Sequence, residues 1–240
     1  MEFTVLGWPP EAPTLRLDFR TFAYAGKFVM STTGKAVIRA TTSHERPPAG
    51  EAVRADAEAG PEAIDPEVFR GNIIGATAFN EDRTDDTTVW IRYITVHTDR
   101  RGNGLGAKLA AFTADRIEDN GYDAVRIAVN NVFAYEALHK AGFGYTGRET
   151  GLAELVLERP GPDPSVRYQE GLDVFRERDL SDGEASFLET RRGVAPPERV
   201  SPGDGASKLD SDTEPAVGPD SESDSDTHSR PDSDPDRKAD

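Results

Sequence analysis

The chain has 240 residues, a formal net charge of −16 and 36% hydrophobic residues. It contains no cysteine, which excludes disulfides and thiol chemistry, and its four histidines lack the spacing of a metal site. No apolar run approaches the roughly 20 residues that a membrane-spanning helix needs. The sequence therefore predicts a soluble protein without a bound metal or a membrane partner.

Acidic residues outnumber basic ones, and only six of the 28 basic residues are lysine. This balance predicts a cytoplasm of high salt, as in a halophile, where a carboxylate-rich surface keeps the protein hydrated. At about 1 M salt the Debye length is roughly 3 Å, so the net charge does not indicate a cationic partner, although basic substrates stay possible. We expect no nucleic-acid partner. The N-terminus lacks a basic start and an apolar stretch, so we expect a cytoplasmic protein rather than a secreted one.

The first 70 residues contain two predicted strands. Thr14–Phe19 alternates apolar and polar residues and predicts a first strand, and Lys35–Thr41 predicts another. Between them, Thr21–Met30 is compatible with a short helix or a loop, its aromatic side chains being core or pocket wall. Residues 42–68 have no periodicity and predict a long surface excursion, which would be mobile or a lid.

The middle of the chain alternates strands and helices. Gly71–Asn80 and Val89–Val96 predict a hairpin, and a helix follows with Leu105, Leu109 and Phe112 on one face. Its end at Asn120-Gly121 suits a left-handed C-cap. Ala124–Asn130 has period two and predicts the next strand. A second helix is predicted between Asn131, a plausible N-cap, and Gly142, a plausible C-cap. Tyr145–Glu158 then provides one or two closing strands.

The turn Arg101-Gly102-Asn103-Gly104-Leu105-Gly106-Ala107 precedes that first helix. The N–H groups at a helix start carry partial positive charge and bind anions, and glycine lets a phosphate approach the backbone. Arg101 adds a planar, permanently charged group. A tight turn that needs glycine for geometry alone is the alternative, but three glycines in five positions beside an arginine favour phosphate.

Three phosphate-binding motifs compete for this turn. The P-loop motif does not occur, whereas residues 102–107 satisfy the dinucleotide motif G-x-G-x-x-A. Against a dinucleotide site, five residues separate the strand from Gly102, and the next strand ends without an acidic residue for a ribose. Because the motif itself is satisfied, an NAD-type oxidoreductase stays open as a less favoured alternative.

The third motif, R/Q-x-x-G-x-G/A, is met by Arg101 to Gly106. With the strand before it and the Asn131…Ala134…Gly142-Phe143 pattern after it, residues 89–143 resemble the GNAT superfamily of acetyl-CoA-dependent N-acetyltransferases. The resemblance implies an α+β fold with a mixed, mostly antiparallel central sheet flanked by helices. It also implies acetyl-CoA as co-substrate, contacted by Ile94, Thr95, Val96, Arg101, Gly102, Asn103, Gly104, Leu105, Gly106, Ala107 and Asn131.

The resemblance implies acetyl transfer to an amine of a small molecule or a protein, by direct attack on the thioester. Many family members place a tyrosine four residues before the Gly-Phe pair as the acid for the leaving thiol, and here that position is Leu138. Tyr135 lies close to the same helix face and is our candidate acid, with a packed aromatic as the alternative. The strand before the turn has no acidic residue, so the base is undetermined and a catalytically silent CoA-binding module remains possible.

Three regions are predicted along the chain. Residues 1–160 form the acetyltransferase domain, and residues 161–193 are an appended helical segment that includes a capping box at Ser181…Glu184. Residues 194–240 are rich in Asp, Ser and Pro and predict a disordered acidic tail. The sequence leaves a homodimer open.

Overall fold

A computed structural model describes residues 1–42, 44–45 and 72–201 of the chain. Within those residues one seven-stranded sheet has the order β1-β2-β3-β4-β5-β7-β6. The strands are β1 (Glu2–Gly7), β2 (Gly34–Arg39), β3 (Ile73–Glu81), β4 (Thr88–Val96), β5 (Ala124–Val129), β6 (Gly144–Glu149) and β7 (Leu155–Arg159).

Neighbouring strands are antiparallel except for β4 and β5, which are parallel. The predicted α+β fold with a mostly antiparallel sheet is confirmed, as is the β3–β4 hairpin. A dinucleotide-binding fold needs a mostly parallel sheet, so this topology disagrees with the oxidoreductase alternative.

Four α-helices accompany the sheet in the described part of the chain: α1 (Leu105–Asp119), α2 (Val132–Lys140), α3 (Pro164–Arg176) and α4 (Asp182–Glu189). Helix α1 connects the parallel pair β4 and β5, as a parallel crossover requires. Asn131 is the N-cap of α2, where its Oδ1 accepts a hydrogen bond from the Ala134 N–H at 2.8 Å. The capping box of Ser181 and Glu184 at the start of α4 is also present.

The main hydrophobic core extends beyond residue 160. Side chains of α3 and α4, including Tyr168, Leu172 and Leu188, are buried in the same cluster as Val129 of β5 and Tyr135 of α2. The helices that follow the last strand therefore complete the core that β5 and α2 begin.

The first strand is not where the sequence pattern predicts it. Thr14–Phe19 is not a strand, and β1 is formed by Glu2–Gly7, which pairs with β2. Leu15 is nevertheless buried, and its N–H donates to the Phe28 carbonyl at 2.9 Å. One side of this irregular segment is covered by the 21–30 region, and burial on one side produces the same alternation as a strand.

Three further predictions fall at the edges of the described residues. Thr21–Met30 is mainly loop and turn, with one 3-10 turn at Ala25–Lys27. The 42–68 excursion lies mostly outside the described residues, as do 202–240 of the predicted tail. Residues 194–201 are described, and the Val200 N–H donates to the Lys140 carbonyl at 2.8 Å, so this first part of the predicted tail is attached to the end of α2.

The described residues contain neither a candidate membrane span nor a candidate metal cluster. None of their helices is both long enough and apolar enough to span a membrane. No group of three or more His, Cys, Asp or Glu side chains among them could hold a metal ion.

Candidate functional site

Strand β4 has two halves with different neighbours. Residues 88–91 pair with residues 124–127 of β5, but the described residues place no such partner beside residues 92–96 on that side. The β3–β4 register shifts between Ala78 and Phe79, which leaves Arg92 without a register partner. Such a bulge bends a strand and increases its twist. The second half of β4 therefore has an open edge with main-chain hydrogen-bonding groups.

The glycine turn lies at the end of that open edge. Gly102 and Gly104 have φ of +82° and +72°, in the left-handed region that favours glycine. Gly104 is the N-cap of α1 and has no side chain to accept hydrogen bonds from the first helical N–H groups. A Cβ added at either glycine would meet no atom within 4 Å, so the space beside these N–H groups is open.

Arg101 is held beside the turn by the strand. Its Nε donates to the Val96 carbonyl at 3.1 Å, and this hydrogen bond orients the guanidinium group. The residue is otherwise exposed to solvent. The first turn of α1 contains no acidic residue. Positive side-chain charge and helix N–H groups are therefore combined at one place, as an anion site requires.

The open edge and the turn form one wall of a cleft of about 600 Å³. The opposite wall comes from α2 and α4. Ten of the eleven residues predicted to contact the cofactor line this cleft: Ile94, Thr95, Val96, Arg101, Gly102, Gly104, Leu105, Gly106, Ala107 and Asn131. The eleventh, Asn103, does not line it, and its Nδ2 donates to the Arg100 carbonyl at 3.5 Å.

The hydroxyl of Thr95 is a buried polar group without a protein partner. Thr95 is 4% exposed, it lines the cleft, and its Oγ1 makes no hydrogen bond. Leaving a buried hydroxyl unpaired costs about 1–3 kcal/mol. A ligand in the cleft that accepts or donates a hydrogen bond here would remove that cost.

The structure separates Tyr135 from the cleft and corrects its proposed role as the acid. Tyr135 is fully buried between α2 and α3, and its hydroxyl donates to the carbonyl of Tyr168 at 3.1 Å. Burial raises the pKa of the phenol above its ordinary value. The register of α2 instead turns Leu138 toward the cleft, so the packed-aromatic alternative describes Tyr135.

Three side chains near the ends of β4 could in principle act as a base, Glu81, Asp82 and His97, but none of them lines the cleft. Glu81 accepts a hydrogen bond from the Tyr122 hydroxyl, and Asp82 accepts one from Trp90 Nε1 at 2.5 Å. Burial lowers the pKa of His97 below its ordinary value, and its Nδ1 accepts from the Asp99 N–H at 3.3 Å.

Several cleft residues carry no motif in the sequence. Phe133, Lys140 and Glu136 come from α2, Phe187 comes from α4, and Tyr24 comes from the 21–30 region. The sequence pattern identified Tyr24 only as core or pocket wall. Phe187 lies about 80 residues beyond the glycine turn, and no local spacing could connect the two.

Glu136 is the one carboxylate among the described residues that line the cleft, and it is already paired. Its oxygens contact Arg191 Nε at 2.7 Å and Lys140 Nζ at 2.8 Å. Burial by itself would raise the pKa of Glu136, but the hydrogen bonds from Arg191 and Lys140 outweigh that effect and lower it. Glu136 therefore holds the wall together as an anion.

Comparison with protein families finds a match, which covers the middle of the chain. Residues 38–143 match the model of the acetyltransferase (GNAT) family, a segment that contains β3, β4, the glycine turn, α1, β5 and α2. Residues 38–143 are therefore similar to GNAT acetyltransferases, and the fold of the described residues agrees with that family. Helices α3 and α4 lie beyond the matched residues.

Solved structures with similarity to the chain include an N-acetyltransferase from Staphylococcus aureus Mu50, at 18% identity and a TM-score of 0.33. That alignment covers 36% of this chain and 59% of the other, so the chain spans less than two thirds of that relative. A Bacillus subtilis acetyltransferase in complex with CoA aligns at 15% identity and a TM-score of 0.33, covering 52% of this chain and 75% of that one. Tetrahymena GCN5 aligns at 14% identity and a TM-score of 0.35, covering 56% and 72%. No curated protein sequence matches the chain.

Proposed function

We propose that the protein transfers an acetyl group from acetyl-CoA to the amine of an acceptor. The observation that carries this proposal is the joining of two features in one cleft. The unpaired half of β4 offers main-chain groups, and the glycine turn beside it offers helix N–H groups with open space in front of them. The GNAT family match over residues 38–143 supports the same reaction class.

The residues of the cleft fit the two halves of this co-substrate. The N–H groups that begin α1, with Arg101 beside them, would hold the diphosphate. Each hydrogen bond to a charged group contributes about 1.5–3 kcal/mol, more than the ~0.3–1 kcal/mol of the helix dipole. The open edge at residues 94–96 would pair with the pantetheine amides as an added strand does, and the Thr95 hydroxyl supplies a further partner.

The thioester supplies an activated acyl group. The neutral amine nitrogen forms a bond to the acyl carbon, the carbon–sulfur bond breaks, the nitrogen loses a proton and the thiolate accepts one. An α-amine, with a pKa of about 8, is easier to deprotonate than a lysine side chain with a pKa near 10.4. No unpaired carboxylate lines the described cleft, so we propose that water accepts the proton from the amine.

Tyr24 is our candidate for the group that protonates the thiolate. It is the phenol among the described residues that line the cleft, and its ring packs against Tyr93 with centroids 5.8 Å apart. Its side chain is 58% exposed, so the hydroxyl can exchange protons with solvent. Tyr24 takes the role that the burial of Tyr135 leaves open.

The first test measures release of free CoA from acetyl-CoA over a broad panel of amines. Because the acid excess leads us to propose a high-salt cytoplasm, the assay is run in concentrated KCl. We expect release with at least one amine. Gly104→Glu should abolish acetyl-CoA binding, because it fills the open space and adds a negative charge beside the diphosphate.

Gly121→Glu is the matched control for Gly104→Glu. Gly121 also has a positive φ, of +92°, also has no atom within 4 Å of an added Cβ, and lies just beyond the opposite end of α1. It should keep the wild-type affinity. Equal affinity of wild type and Gly104→Glu for acetyl-CoA in calorimetry would reject the placement.

A second candidate function is binding of acetyl-CoA without turnover. It is favoured by one observation: the cleft position where many GNAT proteins have a tyrosine is occupied by Leu138. A protein of this kind would bind acetyl-CoA in calorimetry but release no CoA with any amine of the panel.

A further inference from the structure

The cleft has an aromatic wall that is built partly from residues outside the family match at 38–143. This wall consists of Phe133 at the start of α2 and Phe187 of α4, both of which line the cleft. Their rings are 4.9 Å apart, centroid to centroid, at an interplanar angle of 64°. Phe133 is 49% exposed, and Phe187 is partly exposed. Two rings therefore present apolar surface to a cleft whose other side is an anion site.

Contacts with Arg191 and Phe133 position the ring of Phe187. The Arg191 guanidinium lies 3.9 Å from the ring centroid of Phe187. Arg191 is itself fixed by Glu136, which it contacts through Nε at 2.7 Å and Nη2 at 3.3 Å. Phe187 is thus packed between a cation and Phe133, and α4 is attached to α2 at this point. Rings that are already ordered lose little freedom when a ligand binds.

The charge of this end of the cleft suits a phosphorylated ligand. Lys140 lines the cleft on the same helix as Phe133, with a side chain that is 38% exposed. Its present partner Glu136 is also bound by Arg191, so Glu136 would stay neutralised if the Lys140 ammonium moved toward an anion. Aromatic rings beside a cation are a combination that recognises a nucleotide, by stacking on the base and attraction to phosphate.

We propose that the aromatic wall of Phe133 and Phe187 receives the adenine base of the cofactor. The inference rests on the proposed function, because it takes the diphosphate to be bound at the glycine turn. It adds a role for α4: a helix outside the family match contributes directly to cofactor affinity. The nucleotide half of coenzyme A then spans the cleft from the start of α1 to the aromatic wall.

The test separates the base from the pantetheine arm by using two ligands. Calorimetry measures the Kd of CoA and of 4′-phosphopantetheine, which lacks the adenosine part, for wild type, Phe133→Leu and Phe187→Leu. Leucine keeps apolar volume and removes the ring. We expect each variant to weaken CoA binding by about 5- to 150-fold, the range for loss of one base–aromatic stack, and to leave 4′-phosphopantetheine within twofold of wild type.

Phe19→Leu is the matched control, because Phe19 is 79% exposed and does not line the cleft. Its CoA affinity should equal that of wild type. Unchanged CoA affinity in both wall variants, or an equal loss for both ligands, would overturn the inference while leaving the proposed function intact. Failure of wild type to bind CoA would instead reject the proposed function. Phe133→Leu alters a surface position of α2, so it remains informative if Phe187→Leu disturbs α4.

Discussion

The glycine turn before α1 and the interface between α2 and α3 both depend on glycine, but the space around the backbone differs. At Gly102 and Gly104 an added Cβ would have no neighbour within 4 Å. At Gly171 of α3 it would collide with the Tyr135 hydroxyl and lie 2.5 Å from Cζ of the same ring. The first arrangement leaves room for a ligand, whereas the second lets a helix and an aromatic ring pack closely.

This difference separates two kinds of expected effect. Changes in the turn or the cleft should alter binding and turnover and leave the free energy of unfolding nearly unchanged. Changes in the interface should alter the free energy of unfolding and leave the cleft functional. Four sets of changes test this separation. They affect Tyr24 and Tyr135, His139, Gly171, and the residues that follow α4.

The largest effect is expected from a pair of tyrosine variants. Tyr24→Phe should lower kcat by about 100-fold or more, the lower range for loss of a general acid, without changing the Kd of acetyl-CoA. Tyr135→Phe should leave kcat within twofold and lower the free energy of unfolding by about 1 kcal/mol, because it removes one buried hydrogen bond. A lowered kcat in Tyr135→Phe together with an unchanged kcat in Tyr24→Phe would show that the cleft residues have been misidentified.

The next effect is a pH dependence of stability at His139. Burial lowers the pKa of His139 to about 4, with Glu136 opposing that shift, and neither ring nitrogen has a hydrogen-bond partner. Between the ordinary pKa of about 6.5 and the native value, only the unfolded chain binds the proton. This contribution to stability is therefore complete above pH 6.5 and is lost as the pH falls toward 4.

Between pH 7 and pH 5 the loss should be about 2 kcal/mol. Urea unfolding at both pH values measures it, and His139→Leu should remove this part of the pH dependence. Leucine is chosen because the imidazole packs against the rings of Tyr135 and Tyr168, at 4.6 and 4.8 Å between centroids, and needs an apolar replacement. Parallel pH profiles for wild type and variant would contradict the assignment.

Gly171→Ala should destabilise the protein by about 1–2 kcal/mol. Overpacking costs ~1–3 kcal/mol, and the higher helix propensity of alanine offsets up to ~1 kcal/mol of that. The Kd of acetyl-CoA should stay within twofold. Gly183→Ala in α4, where an added Cβ meets no atom within 4 Å, is the control and should be neutral or stabilising. A Gly171→Ala protein that is as stable as Gly183→Ala would show that the interface is looser than the contacts indicate.

The smallest effect concerns the end of the described chain. Truncation after Ser201 should leave the free energy of unfolding unchanged and preserve activity. Truncation after Ala195 removes the hydrogen bond from the Val200 N–H to the Lys140 carbonyl and should cost about 0.5–1.5 kcal/mol. Chemical denaturation of the two truncated proteins measures the difference, and equal stabilities would mean that residues 196–201 contribute nothing.

Much of the sheet and the glycine turn could be predicted because their signals are local. The strands β2 to β5 have continuous apolar or alternating patterns, and the turn combines three glycines with Arg101 within six residues. The sequence pattern does not predict β1, because its six residues alternate only weakly between apolar and polar and are followed directly by Trp8-Pro9-Pro10. Leu15 and Leu17 gave a false strand because an irregular segment can bury alternate residues without a pairing partner.

The two faces of α2 could not be told apart from the sequence. Tyr135 and Leu138 are three residues apart, and both are buried. One packs against α3 and the other lines the cleft, and this depends on where α3 lies, which no residue of α2 encodes. The same holds for Phe187, whose ring packs against Arg191, and Arg191 forms an ion pair with Glu136, which is distant in the sequence.

The shared core of the sheet and the last two helices determines what can be produced as a minimal fragment. A polypeptide cut at residue 160 would keep every residue of the GNAT match but leave the rings of Tyr135 and His139 without the cover of Tyr168 and Phe175. Expression trials that end the gene at residue 160 should therefore give aggregating material, whereas a fragment that ends just after Val200 retains all of these contacts.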